Sequence, residues 1–181
     1  YPLLTFIISR PPNPQQICTN VSRMKKTPTP KPIGLYLLLF LLLFLAMGGI
    51  YGGLMLITDP SGVSIQFPPE VIDRLPFPNY LIPGIILILG MSVLPLLTTY
   101  ALLFRPAWKW AQFLNIYPEQ HWSWTFALYT GIILAIWINV QILITGAIGQ
   151  IQPFYGLYAV ALIICTLLPK VKQFYRIAPS F

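Results

Sequence analysis

From Gly34 to Ile57 the chain carries no charged residue. At about 1.5 Å per residue, a helix over this stretch reaches about 36 Å, enough to cross roughly 30 Å of hydrocarbon with some tilt. Three further runs repeat the pattern: Tyr80 to Phe104, about Trp122 to Ile148, and Pro153 to Leu168. The last reaches only about 24 Å and needs tilt or snorkelling by Lys170 and Lys172 to match a bilayer. In lipid every backbone N–H and C=O must be satisfied within the segment, so uncharged runs of this length select helices. The expected fold is an all-α integral membrane bundle of about four transmembrane helices.

Composition supports lipid as the solvent. The chain is 56% hydrophobic and 8% charged, against about a quarter charged for a soluble domain. A net charge of +7 in a soluble protein points to nucleic acid, but here the charges sort by loop. Arg23, Lys25, Lys26 and Lys31 precede the first run, Arg105 and Lys109 follow the second, and Lys170, Lys172 and Arg176 follow the fourth. The segment between the first two runs holds Asp59, Glu70 and Asp73 against Arg74 alone. The positive-inside rule then predicts both termini in the cytoplasm, with 105–121 inside and 58–79 outside. Tyr80, Trp108, Trp110, Trp122 and Trp124 fall near span ends, as an aromatic belt requires. Residues 1–33 read as a disordered proline-rich tail, with the native start expected at Met24 ahead of the first span. Residues 34–170 form the membrane domain and 171–181 a cytoplasmic tail. Cys18 and Cys165 offer neither a disulfide framework nor a CxxC pair.

The residues able to carry chemistry are few. Gly48, Gly49, Gly52 and Gly53 make two overlapping GxxxG pairs, which suit either a dimer seam or close packing within one bundle, with packing favoured. Pro95 sits inside the second run and predicts a kink. Pro83-Gly84 is expected to break the start of the same run. Asp59-Pro60-Ser61-Gly62 fits a type I turn. Pro68 to Leu75 reads as a short amphipathic helix, with Glu70 and Arg74 spaced to pair and Val71, Ile72 and Leu75 on the other face. A divalent-cation site at Asp59, Glu70 and Asp73 is disfavoured, because calcium needs six or more oxygens in close array. Trp137 and Gln141 lie one turn apart on one face of the third span while Asn139 points elsewhere, which gives either interhelical glue or a polar spot in a ligand cavity. His121, the single histidine, reads as an interfacial polar residue. No ionisable residue lies well inside any run, which argues against ion- or proton-coupled transport. No phosphate loop, zinc-spaced cluster or nucleophile elbow appears.

Asp59 to Gly62, Pro76 to Gly84 (PFPNYLIPG), Trp137 to Gln141 (WINVQ) and Gln152 to Gly156 (QPFYG) together resemble a group of small, uncharacterised four-helix bacterial membrane proteins. The resemblance covers roughly residues 34 to 170. It implies the four-helix architecture and a bacterial inner membrane, and brings no activity or catalytic residue. In size and span number the chain is also similar to DoxX-like proteins. The functional expectation is a non-enzymatic accessory or assembly protein, without cofactor or metal, binding lipid or another membrane protein, with self-association as a further possibility. The alternative is a passive channel or carrier for a neutral solute. Any ligand or partner site is expected in the outer half, at Trp137, Gln141, Asp59 and Tyr80.

Overall fold

Six helices follow one another in the computed structural model, which describes residues 30–65, 69–146 and 150–177, with backbone alone at Ile65, Pro69 and Glu70. They are α1 (Ile33–Thr58), α2 (Leu81–Phe104), α3 (Lys109–Phe113), α4 (Trp122–Thr145), α5 (Ile151–Leu167) and α6 (Pro169–Phe174). The proline-rich tail, the expected start at Met24, Cys18 and the Glu70 side chain lie outside the described residues. Among those residues the secondary structure is helical apart from one isolated bridge between Gln120 and Arg176.

Three helices are long and apolar enough to cross a membrane: α1 with 26 residues, and α2 and α4 with 24 each. The fourth apolar helix, α5, has 17 residues and reaches about 25 Å. It begins at Ile151 rather than Pro153, with the proline in its first turn, where no donor is needed. α4 stops at Thr145, three residues short of the expected end, because Gly146 turns the chain at φ 76°, a conformation that side chains other than glycine's strain to adopt.

The long helices form a ring in which α1 packs on α2, α2 on α4, α4 on α5 and α5 on α1. The core between them includes Leu35, Leu38, Leu42, Leu102, Leu134 and Leu162, all within 2% of full burial. The outer faces are equally apolar: Leu143, Leu157 and Met47 are 85%, 73% and 71% exposed. A surface of that kind is stable against lipid, not water. Three threonines within the spans turn back on their own helices. Thr99, Thr130 and Thr166 each donate to the carbonyl four residues earlier, at 2.8, 2.9 and 2.8 Å, so they add little polarity to the interior.

Ahead of Pro95, α2 widens into a π turn over Leu89–Val93, where the Leu94 amide donates to the Leu89 carbonyl five residues back. Proline has no N–H for the carbonyl of Met91 and its ring crowds that atom, and the wider turn relieves both. The Met91 carbonyl lies beside α1 at Gly49, where a Cβ would stand 2.6 Å from it and 2.5 Å from Ser92 Oγ. The other GxxxG glycines are occupied in the same way: Gly48 faces the Tyr155 hydroxyl, Gly52 faces Leu87, and Gly53 faces Ile88 and the Gly84 carbonyl. All four therefore serve contacts between helices of one chain. Pro83-Gly84 does not break α2. Pro83 sits in the first turn, the Gly84 amide bonds the Tyr80 carbonyl at 2.9 Å, and Gly84 lets the two backbones approach.

The two ends of the ring differ in charge. Arg105, Lys109, Lys170, Lys172 and Arg176 gather at one, where α1 also begins, since Gly34 packs on Leu168 and Val171 of the α5–α6 corner. Residues 171–177 are not a free tail. Val171 and Tyr175 are 0% and 1% exposed, the His121 amide bonds the Tyr175 carbonyl at 2.8 Å, and the Ile177 amide bonds the Glu119 carbonyl at 2.9 Å. The Tyr175 hydroxyl donates to Leu102 at 2.6 Å. Arg105 caps α2 in the left-handed region at φ 49°. Its guanidinium donates to the Phe174 carbonyl at 3.0 Å and lies 4.2 and 4.5 Å from the Phe174 and Tyr175 rings, which offsets the backbone strain.

Candidate functional site

At the opposite end the ring is left open. A cavity of about 410 Å³ lies between the start of α2, the last turns of α4 and the first turn of α5, within the range of about 300–1,000 Å³ that small-molecule sites occupy. One wall follows from the period of α4: Trp137, Val140, Gln141, Ile144 and Thr145 fall on one face because residues three and four apart share it. Pro83, Ile86 and Leu87 form the facing wall on α2. The roof is the segment between α1 and α2. Its six-residue 3-10 turn, Pro69–Arg74, turns Val71 inward to 5% exposure against Leu56 and Tyr80, while Asp73 and Arg74 stay exposed. The amphipathic division expected there is present, with the apolar face on the protein.

Polar groups are confined to a few places. Gln152 is 6% exposed and donates to the Gly146 carbonyl at 3.2 Å and Thr145 Oγ1 at 3.4 Å, tying the start of α5 to the end of α4. Arg74 reaches from the roof to the Thr145 carbonyl at 3.5 Å, placing a cation at the electronegative end of α4. The indole nitrogen of Trp137 is buried with no hydrogen-bond partner among the described residues. It is a donor only, so beside the cavity a buried N–H is left without an acceptor among the described residues.

Of the residues expected at a site, Trp137, Gln141 and Tyr80 line this cavity together. Asp59 does not. Its oxygens accept from Ser61 N and Oγ at 3.1 and 2.5 Å, and from Ser64 N and Oγ at 2.8 and 2.6 Å. The Ser61 and Ser64 hydroxyls and the Ser64 amide hold the carboxyl well below the usual carboxylate range. Asp59 therefore shapes the turn that starts the roof. No group of three His, Cys, Asp or Glu side chains placed to hold a metal occurs among the described residues. Asn139 is exposed and bonds the Ala135 carbonyl of its own helix at 2.8 Å. His121 lies at the basic end, where Nδ1 pairs with Ser123 Oγ at 2.8 Å and caps α4.

Gln152, Thr145 and Arg74 were not singled out as cavity residues on sequence grounds. Gln152 and Thr145 carry faint signals, a polar residue at each end of the 145–152 connection, but only the reversal at Gly146 brings them together. Comparison of the chain with protein-family models, curated proteins and solved structures finds no match, so the reading of this cavity rests on its own residues.

Proposed function

We propose that this chain is a non-enzymatic multi-pass membrane protein that accommodates an apolar group, a lipid chain or a side chain of a membrane partner, in the cavity beneath the 58–79 roof. The observation that carries this reading is the cavity itself: apolar walls, a hydrogen-bond donor at Trp137, and amides at Gln141 and Gln152. Such a lining suits an apolar body with one or two acceptors, and lacks the paired titratable groups of acid–base chemistry. The carrier reading is less favoured because the far end is filled by Trp122, Trp124 and Tyr175, each 1% exposed. The distribution of Lys and Arg supports placing both termini in the cytoplasm and the roof outside, in a bacterial inner membrane crossed four times. Single cysteines at Ser64 and Gln112, labelled with an impermeant reagent in intact cells, test that orientation: labelling at Gln112 alone would invert it.

Gln141→Leu tests the site. As mere interhelical glue, Gln141 should cost about 1 kcal/mol of stability or less when replaced, with no loss of bound material. As part of the site, its replacement should leave thermal stability nearly unchanged and deplete whatever lipid or protein co-purifies after mild extraction. A destabilised variant that retains its co-purified material would end this reading, as would solute flux through the protein in reconstituted vesicles.

A further inference from the structure

The basic end holds a second cavity, of about 380 Å³, between α6, the end of α5 and the residues before α4. Gln120 lines it while being 1% exposed, and its Oε1 has no hydrogen-bond partner among the described residues. A buried amide oxygen is costly to leave unpaired, and as an acceptor it asks for a hydrogen-bond donor. Glu119 supplies a second acceptor at the rim, while Lys172 and Arg176 supply exposed cations. Lys172 is drawn toward the bundle, its ammonium 5.8 Å from the Trp124 ring. Two cations beside two acceptors match a ligand in which an anion stands next to a hydrogen-bond donor. From Leu167 at the cavity edge, an exposed apolar line runs along α5 through Ile164, Val160 and Leu157, which are 57%, 50% and 73% exposed. These residues fall on one helical face.

We propose that this cavity is the headgroup site of a glycerophospholipid whose phosphate carries a hydroxyl or ammonium donor. Lys172 and Arg176 take the phosphate, Gln120 and Glu119 accept from the donor, and an acyl chain lies along the α5 line. The site is independent of the cavity at the other end.

Purified full-length protein, exchanged into defined lipid and examined by native mass spectrometry, tests this. Phosphatidylglycerol and phosphatidylethanolamine should be retained about fivefold or more over phosphatidylcholine, whose headgroup has no donor; one net hydrogen bond of about 1 kcal/mol corresponds to that factor. Lys172→Gln with Arg176→Gln, both at exposed positions, should lower retention of phosphatidylglycerol by a similar or larger factor while circular dichroism stays unchanged. Gln120→Met should erase the preference over phosphatidylcholine. Equal retention of all three lipids, or undiminished retention by the folded double variant, would overturn the site. Displacement of the lipid by glycerophosphoglycerol at comparable concentration would overturn its assignment to a membrane lipid, because the α5 line would then contribute nothing.

Discussion

At the basic end the indole nitrogens of Trp122 and Trp124 reach the carbonyls of Pro106 and Thr166 at 2.7 and 2.8 Å, whereas the buried indole nitrogen of Trp137, at the loop end, has no partner among the described residues. The same side chain thus serves opposite purposes in one bundle. Where tryptophan donates to backbone and stacks on neighbours, as Trp108 does on Trp122 at 5.3 Å, it fixes how the helices end. Where its donor is left over beside a cavity, the bundle has traded a hydrogen bond of about 1 kcal/mol for space. Among the described residues, Arg74 and Gln152 tie the loop end across its gap. The basic end adds amide bonds, aromatic stacking and the Arg105 cap. Stability should therefore concentrate at one end, and ligand response at the other.

The comparison breaks most severely at Trp124. Trp124→Ala removes a fully buried ring and should cost about 3–5 kcal/mol, read as a fall in the denaturant midpoint in detergent. A loss under about 1 kcal/mol would mean that this end is not the anchor.

Arg105→Ala should cost about 2 kcal/mol, because a charged hydrogen bond and two ring contacts disappear together. Arg105→Lys should recover only part, since a lysine cannot stack a planar fork on both rings. Full recovery would show that charge alone matters there.

Trp137→Phe should cost about 1 kcal/mol or less, in contrast with Trp124→Phe, which strands the Thr166 carbonyl. Equal costs for the two would mean that Trp137 is hydrogen-bonded in the membrane, and would remove the distinction between the ends.

The smallest effect concerns pH. Burial, then the nearby Arg105 charge, hold His121 below its ordinary value of 6.5, and its Nδ1 accepts the Ser123 amide at 3.3 Å only when unprotonated. The folded state thus binds its proton later than the unfolded state. The stability it contributes is complete above the ordinary value and declines as pH falls through the lowered one. A slight drop in thermal midpoint below about pH 6 should be seen in the parent and be absent in His121→Gln.

Which residues meet lipid, and where the helices run, was legible because both depend on local chemistry. An uncharged stretch from Gly34 to Ile57 has few alternatives to helix in hydrocarbon, and the expected ends of α1 and α2 lie within a residue of the observed ones. The pairing of Trp137 with Gln141 was legible for the same reason, since the helical period alone puts them on one face. Asp59 was misplaced because an acidic residue in a loop looks the same whether it faces a ligand or its own turn; Ser61 and Ser64 decide that, through donors whose direction no spacing specifies. Pro95 announced a disturbance in α2, but its form, a π turn whose Met91 carbonyl lies against Gly49 of α1, depends on the neighbouring helix. Residues 171–177 read as a tail because Lys172 and Arg176 break up their apolar positions, yet Tyr175 is buried by contacts with Leu102 and His121, far away in the chain. The sequence by itself determined the solvent, the helices and their faces, which follow from side-chain transfer energies and backbone periodicity. Only the tertiary structure decided that one end closes and the other stays open. That depends on long-range partners such as Arg105 with Phe174 and Arg74 with Thr145, whose meeting is set by the packing of the ring and not by any residue's own preference.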